Sequence, residues 1–479
     1  MCEPCATSPG ILYDATRTRA GRAALEPFVI HRALVILFLL ALAACGPRPK
    51  PMIIEEDAGI VMEVPDAGRQ RGMDPPSGFS TAVELPEDGG QRFGVSLSAV
   101  GDQFNQPLIA AVWDDPNGDG VRTDTRVFFT RWNGEKKEYE ALKTIEVVGE
   151  IDLAPPLRQV AIGRDSVTGR IGIAFVKAGA GIRYAFSDDE GANFSLATVG
   201  MDPGTGDSSY PQIALKNGTT HIAYVTSNEQ VLYRTRTGAS GAFSEVTAPI
   251  TAGQASALGS ISLALDGDGT PGLAYFTRGA SLRATLAFWR PGTASATEVT
   301  NSNMTDVLVV ADRKPSVTLA FAGTTPRVAF HLLRADPVLN GMMTDSNSEL
   351  WTSVATDASG SSWSMPVGMP RNGDFATMRF NTTQWYQGLV IHTGGAITIG
   401  GAFLSRGTIN TLCSGGPKLS KSTNGTTFET CSPMNTPLNF AGEWLSMWGH
   451  AANKVTLAFF YDRRASDLVR GGVILYREP

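Results

Sequence analysis

The chain has 479 residues, enough for two or three ordinary domains or for one large repetitive one. Its formal charge of −6 is mild and carries no basic bias, which excludes the nucleic-acid binders that need a strongly basic face. Glycine is abundant at 52 residues, and after residue 60 short apolar runs bounded by Gly, Asn, Asp and Pro replace any long i, i+3, i+4 pattern, so the fold class expected is all-β.

Residues 1–28, with Cys2 and Cys5, sit poorly in front of the apolar run at 33–42 and read as a start-site error. Val29–Arg32 would then be a short basic n-region. Ala33–Leu42 is continuously apolar, Arg32 precedes it, and Ala43-Ala44-Cys45 comes directly after, so 29–44 reads as a secretory signal. The apolar core is well short of the about 20 residues that a membrane span requires. Leu42-Ala43-Ala44-Cys45 resembles the lipobox of bacterial lipoproteins; the other reading is a plain signal peptide with an incidental cysteine. The resemblance implies that the Cys45 thiol is acylated and becomes the lipid-bearing N-terminus. Gly46 in the next position implies, by the same resemblance, the outer membrane. From the acylated cysteine, 45–78 forms a tether rich in Pro, Asp, Glu and Gly, with no periodicity and too little apolar residue to pack.

From 79 to 479 a pattern recurs: an apolar strand with a small or branched residue at its centre. Its copies are centred on Ala110, Ala174, Ala223, Ala274, Ala329, Val390 and Ala458. A strand precedes each copy and a turn such as Lys216-Asn217-Gly218 or Asp266-Gly267-Asp268-Gly269 separates the two. Asn-Gly and Asp-Gly take positive φ readily. A third and a short fourth strand come next, as in Ile182–Phe186 and Phe194–Ala197. Four strands per unit and repeats of this length predict a β-propeller. The last repeat stops at its third strand, Val473–Arg477, while the folded part opens on a lone strand at Phe79–Leu85. Pairing the two would close the ring and remove two edges. Seven blades are expected, the last completed by residues near 79–86, with six as the alternative.

Between the third and fourth strands of the second repeat stands Ser187-Asp188-Asp189-Glu190-Gly191-Ala192-Asn193-Phe194. It resembles the Asp-box of sialidase-like propellers. Thr356–Trp363 and Lys421–Phe428 occupy the same place in the fifth and sixth repeats, with Ala358 and Thr423 where the box has Asp. Ser and Asp side chains can bond the turn backbone and Gly tolerates the left-handed position. The resemblance implies a folding device on the face away from any catalytic centre.

Chemistry is therefore expected on the other face, where second strands join third strands. These connections are short in the second, third and fourth repeats and long in the first, fifth, sixth and seventh, which become neighbours once the ring closes. In the first, Asp115, Asn117 and Asp119 alternate before Gly120 like the start of a Ca²⁺ loop, although Arg126 stands where the bidentate Glu belongs; a solvated acidic turn is the other reading. In the seventh, Tyr461, Asp462, Arg463 and Arg464 suit an anionic sugar, since guanidinium matches carboxylate in a fork; a surface salt bridge is the alternative. The fifth offers His331, Arg334 and Asp336. Cys413 and Cys431 could pair in an oxidising compartment, or stay as two free thiols. The arginine triad, Tyr nucleophile and acid/base set of sialidases cannot be placed on this chain. The sequence thus points to an exported, membrane-anchored binding module for carbohydrate or another envelope protein. A sialidase-like glycoside hydrolase is the alternative. No cofactor is assigned beyond Ca²⁺.

Overall fold

The computed structural model describes residues 72–84, 95–113, 125–151, 158–200, 209–249, 256–278, 284–299, 316–333, 348–368, 387–401, 418–429, 432–433, 442–461 and 472–479. The strands they form run in chain order. After β1 (Gly78–Glu84) the first blade contains β2 (Val95–Gly101), β3 (Pro107–Trp113) and β4 (Arg126–Asn133), with its outer edge split into β5 (Glu138–Tyr139) and β6 (Lys143–Val147). The second is β7 (Val160–Arg164), β8 (Ile171–Lys177), β9 (Gly181–Ser187) and β10 (Ser195–Gly200). The third is β11 (Ser209–Lys216), β12 (Thr219–Val225), β13 (Val231–Thr237) and β14 (Ser244–Thr247). The fourth is β15 (Ser256–Leu265), β16 (Pro271–Arg278), β17 (Ala284–Trp289) and β18 (Thr297–Glu298). The fifth is β19 (Ser316–Ala322), β20 (Thr325–Leu333), β21 (Ser348–Val354) and β22 (Val367–Gly368). The sixth is β23 (Gln387–Ile391), β24 (Ile397–Gly401), β25 (Lys418–Ser422) and β26 (Ser432–Pro433). The seventh is β27 (Gly442–Ala451), β28 (Lys454–Tyr461) and β29 (Gly472–Arg477), and β1 is its fourth strand.

Each blade is an antiparallel meander, and the first strands β2, β7, β11, β15, β19, β23 and β27 touch in sequence, with β27 returning to β2. The chain is a seven-bladed β-propeller. It closes as the sequence predicts: β1 pairs antiparallel with β29 from Gly78↔Arg477 to Glu84↔Gly472. Phe79 lies 4.8 Å from the Tyr476 ring and 6.3 Å from Phe459, and Val83 is buried between the seventh and first blades.

One repeat is placed differently. Gly388–His392 is read from sequence as a second strand, but it is the first strand, β23, and β24 is the second. The reason is local. His392 donates its amide to Ala396 O and Gly395 donates to His392 O, so Thr393–Gly395 makes a tight hairpin that reads as a longer loop. The strand beyond it, Ile397-Thr398-Ile399-Gly400-Gly401, lacks the aromatic residue that marks most other second strands.

The apolar core lies between blades, where the second-strand residues pack: Ile173 and Phe175 against Leu108, Val112 and Phe129, for example. The innermost strands pose a separate problem. Their axial edge has no ladder partner, and an amide left unpaired there is costly. Serines of the preceding blade answer it. Ser96 Oγ accepts from Gln159 N (2.9 Å), Ser98 Oγ from Ile162 N (3.2 Å), and Ser446 Oγ from Ala99 N (3.1 Å). Ser260 and Ser262 do the same for Val317 N and Leu319 N, both at 2.9 Å. An i, i+2 serine pair falls on one side of a strand, which is why Ser96/Ser98 and Ser260/Ser262 serve one neighbour.

Candidate functional site: the two faces of the ring

The meander puts the first-to-second and third-to-fourth turns at one end of every blade, the turn face, and the second-to-third connections at the other. On the turn face the octapeptide forms a closed local network. Ser187 Oγ donates to Asp189 Oδ1 (2.7 Å) and accepts from Gly191 N (2.7 Å), while Asp189 also accepts from Asn193 N (2.8 Å) and Asn193 Nδ2 (2.7 Å). These bonds hold the Asp189 carboxyl below the usual carboxylate range, against the opposing pull of desolvation. Gly191 has φ +87°, and a Cβ there would lie 2.5 Å from the Phe129 ring of the first blade; Phe194 meets the same ring edge-on at 5.1 Å.

The fifth and sixth blades repeat this geometry with shifted side chains. Gly360, at φ +72°, sits against Phe288, and Trp363 meets that ring at 5.4 Å. Ala358 leaves no carboxylate in the expected place, and Asp357 supplies it from one residue earlier, accepting from Ser359 Oγ (2.5 Å), Ser361 N (3.1 Å) and Ser361 Oγ (2.7 Å). In the sixth blade Asn424, one residue after Thr423, accepts from Thr426 N (2.9 Å) and Thr427 N (2.8 Å). Turn geometry tolerates this slide because any nearby oxygen can gather the free amides.

Cations of one blade then grip the turn carbonyls of the next. Arg131 donates to Glu190 O (2.5 Å), Arg170 to Gly238 O (3.0 Å), Arg290 to Ala358 O (2.8 Å) and Arg327 to Gly425 O (3.0 Å). Arg170 is fixed by a two-point pair with Asp188 (2.6 and 3.0 Å), and Arg290 by Asp266 (2.8 Å). Arg236 is held by rings instead. Its guanidinium lies 4.8–5.2 Å from the Phe243, Tyr184 and Phe186 rings, and desolvation with the nearby Arg170 charge depresses its pKa, partly offset by Tyr184.

At the other end of the blades the strand bounds put the long connections at 114–125, 334–347, 402–417 and 462–471, in blades one, five, six and seven, against 178–180, 226–230 and 279–283 in blades two, three and four. The backbones of His331, in β20, and Tyr461, the last residue of β28, lie toward this end, in blades five and seven. The remaining candidates, Asp462, Arg463, Arg464, Arg334, Asp336, Asp115, Asn117 and Asp119, lie outside the described residues, as do Cys45, Cys413 and Cys431. Among the described residues no three His, Cys, Asp or Glu side chains gather as metal ligands. One residue that the sequence does not single out stands here. Arg158, just before β7, donates from Nη2 to Leu445 O of β27 (3.1 Å), so a second-blade guanidinium reaches the seventh blade at the inner rim. Its sequence signal is slight: an arginine in a fourth-to-first connection, away from the second-to-third connections where chemistry is expected.

Between the faces, the third blade buries His221, whose Nδ1 lies 2.5 Å from Tyr233 Oη. Desolvation pushes His221 down to about 4 and Tyr233 up to about 12. Because His221 resists protonation only when folded, the stabilisation is complete above its ordinary value of 6.5 and is lost as pH falls to about 4, roughly 3 kcal/mol in all. Melting followed against pH should show this decline, and His221→Gln should flatten it; an unchanged slope in the variant would assign the decline elsewhere.

No protein-family model matches the chain, and no curated protein matches its sequence. Solved structures resemble it in outline. A protein of unknown function from Dyadobacter fermentans aligns over 84% of this chain and 100% of its own with 9% identity and a TM-score of 0.43. The fucose-specific lectin of Aleuria aurantia aligns over 76% and 99% with 14% identity and 0.38, and the intramolecular trans-sialidase of Ruminococcus gnavus over 67% and 92% with 11% identity and 0.42. At these values the blade count rests on the chain's own strand pairing.

Proposed function

We propose that this chain is an envelope lipoprotein, anchored through Cys45, whose propeller binds a ligand on the face opposite the turns. The observation that carries the reading is the asymmetry of the ring. One end is closed by turns bonded blade to blade, while the strand ends that receive all four long second-to-third connections are grouped on the other, in blades five, six, seven and one. Long connections on a rigid scaffold are where binding residues concentrate. Tyr461 at the edge of one of them and Arg463 and Arg464 within it, with Arg158 at the inner rim, favour an anionic ligand, for which an acidic carbohydrate of the envelope is the proposed class. The octapeptide is proposed as an Asp-box, with a structural role.

Binding of the purified chain to an array of acidic and neutral glycans tests the ligand class. Arg463→Ala is expected to weaken capture of acidic glycans at least tenfold, and equal binding of neutral ones would defeat the anionic reading. Turnover of glycoside reporters, abolished by Tyr461→Phe, would move the protein to the hydrolases. The anchor is tested separately: palmitate labelling should vanish in Cys45→Ala, and continued labelling would refute it.

A further inference from the structure

The six residues before β1 do not follow the blade that β1 completes. They cross the closing seam of the ring on the turn face. Met73 N donates to Gly134 O (2.9 Å), and Trp132 Nε1 donates to Met73 O (2.6 Å), both in the first blade. Asp74 lies across the seam: it accepts from Arg477 Nη2 of the seventh blade (3.0 Å) and from Gln106 Nε2 of the first (3.4 Å). Gly72 and Gly134 pack backbone to backbone. A Cβ on Gly72 would lie 2.2 Å from Gly134 C, and one on Gly134 would lie 2.7 Å from Gly72 Cα. Every partner sits at the turn end: Gln106 in the β2–β3 turn, Gly134 in the β4–β5 turn, Arg477 at the end of β29.

We infer that Gly72–Asp74 is a clamp that fixes where the N-terminal segment leaves the ring, so that the anchored protein keeps its turn face toward its own membrane and offers the opposite face to a partner outside that membrane. The inference rests on the Cys45 anchor proposed above. β1 itself begins at the turn end, where Gly78 pairs with Arg477; the clamp holds the six residues before it as well and moves the exit point from Gly78 to Gly72. With it, the segment that carries the load of the anchor meets the ring at the blade one–seven seam, on the turn side. Strands of about seven residues at about 3.3 Å each separate the two faces by about 23 Å, a difference a distance-dependent probe can read.

The test uses the full lipidated chain in vesicles doped with an acceptor-labelled lipid, in a background with Cys413 and Cys431 changed to Ser. A donor is placed at Ser240→Cys, exposed in the β13–β14 turn, or at Asn228→Cys, exposed in the β12–β13 connection of the same blade. Energy transfer is expected to be about twofold stronger from position 240, a consequence of the face separation. Gly134→Val, and independently the milder Asp74→Asn, should shrink that difference while the far-ultraviolet spectrum stays that of a folded ring. Equal transfer from the two positions, or stronger transfer from 228, would overturn the clamp. A protein that does not float with the vesicles would instead overturn the anchor reading, and this inference with it, before either donor is read.

Discussion

Replacing Gly78–Glu84 by a Gly/Ser segment of equal length is expected to cost the protein its cooperative fold. The replacement removes six paired positions along β29 and the packing of Phe79 and Val83. At about 1 kcal/mol net per interstrand bond and about 2 kcal/mol per buried apolar side chain, the loss is roughly 10 kcal/mol, comparable with the whole stability of a typical domain. The variant should melt broadly, expose β29 as an unpaired edge and aggregate. A synthetic peptide of residues 78–84 added in trans should recover part of the sharp transition. Retention of the wild-type melting curve by the variant would show that β1 is an ornament on a ring closed by packing alone.

Gly191→Val and Gly360→Val are expected to be the most damaging single substitutions on the turn face. Each places a branched side chain at positive φ, +87° and +72°, and drives its Cβ into an aromatic ring of the blade before, Phe129 at 2.5 Å and Phe288 at 2.4 Å. Left-handed strain of about 1–2 kcal/mol and overpacking of about 1–3 kcal/mol add to roughly 3–4 kcal/mol each. Chemical denaturation read by tryptophan fluorescence would measure it. Phe129→Leu should relieve part of the Gly191→Val penalty, since the ring is the obstacle. If that double variant is no more stable than Gly191→Val, the strain lies in φ alone.

The blades are legible in the sequence because a second strand buried on both faces must be apolar along its whole length with a small residue where neighbours close in, and Ala110, Ala174, Ala223, Ala274, Ala329 and Ala458 keep that signature. The ring closure is legible from its two unmatched ends. The sixth blade is misread because Thr393–Gly395 turns too tightly for a pattern of apolar runs to register, and β24 has no aromatic residue. The slide of Asp357 and Asn424 is hidden as well: a motif counts positions, whereas the free amides of a turn need only an oxygen within reach. The serines at 96, 98, 260, 262 and 446 and the arginines at 131, 170, 290 and 327 are not legible as contacts, since their partners lie in another blade. Of the candidate site, its end of the ring is legible from connection length. Arg158 is not, because it stands next to a first strand.

The bonds between blades share a grammar. In the serine contacts and the turn-face arginine contacts alike, the side chain belongs to the earlier blade and the backbone to the later one. Lys421 of the sixth blade donating to Asn453 O of the seventh, and Trp448 of the seventh donating to Asn105 O of the first, keep the same order; Asn105 Nδ2 to His450 O and Arg158 Nη2 to Leu445 O run against it. A carbonyl is the same whatever residue bears it, and an amide donor is the same for any residue but proline. Each blade is thus recognised by its predecessor partly through backbone atoms that most substitutions leave in place, and away from the packed positions at Gly191, Phe194, Gly360 and Trp363 its side chains can change without renegotiating those bonds. Emerging from the ribosome in order, each blade after the first finds the hands that will hold it already made, while the first waits for Ser446 and Trp448 of the last.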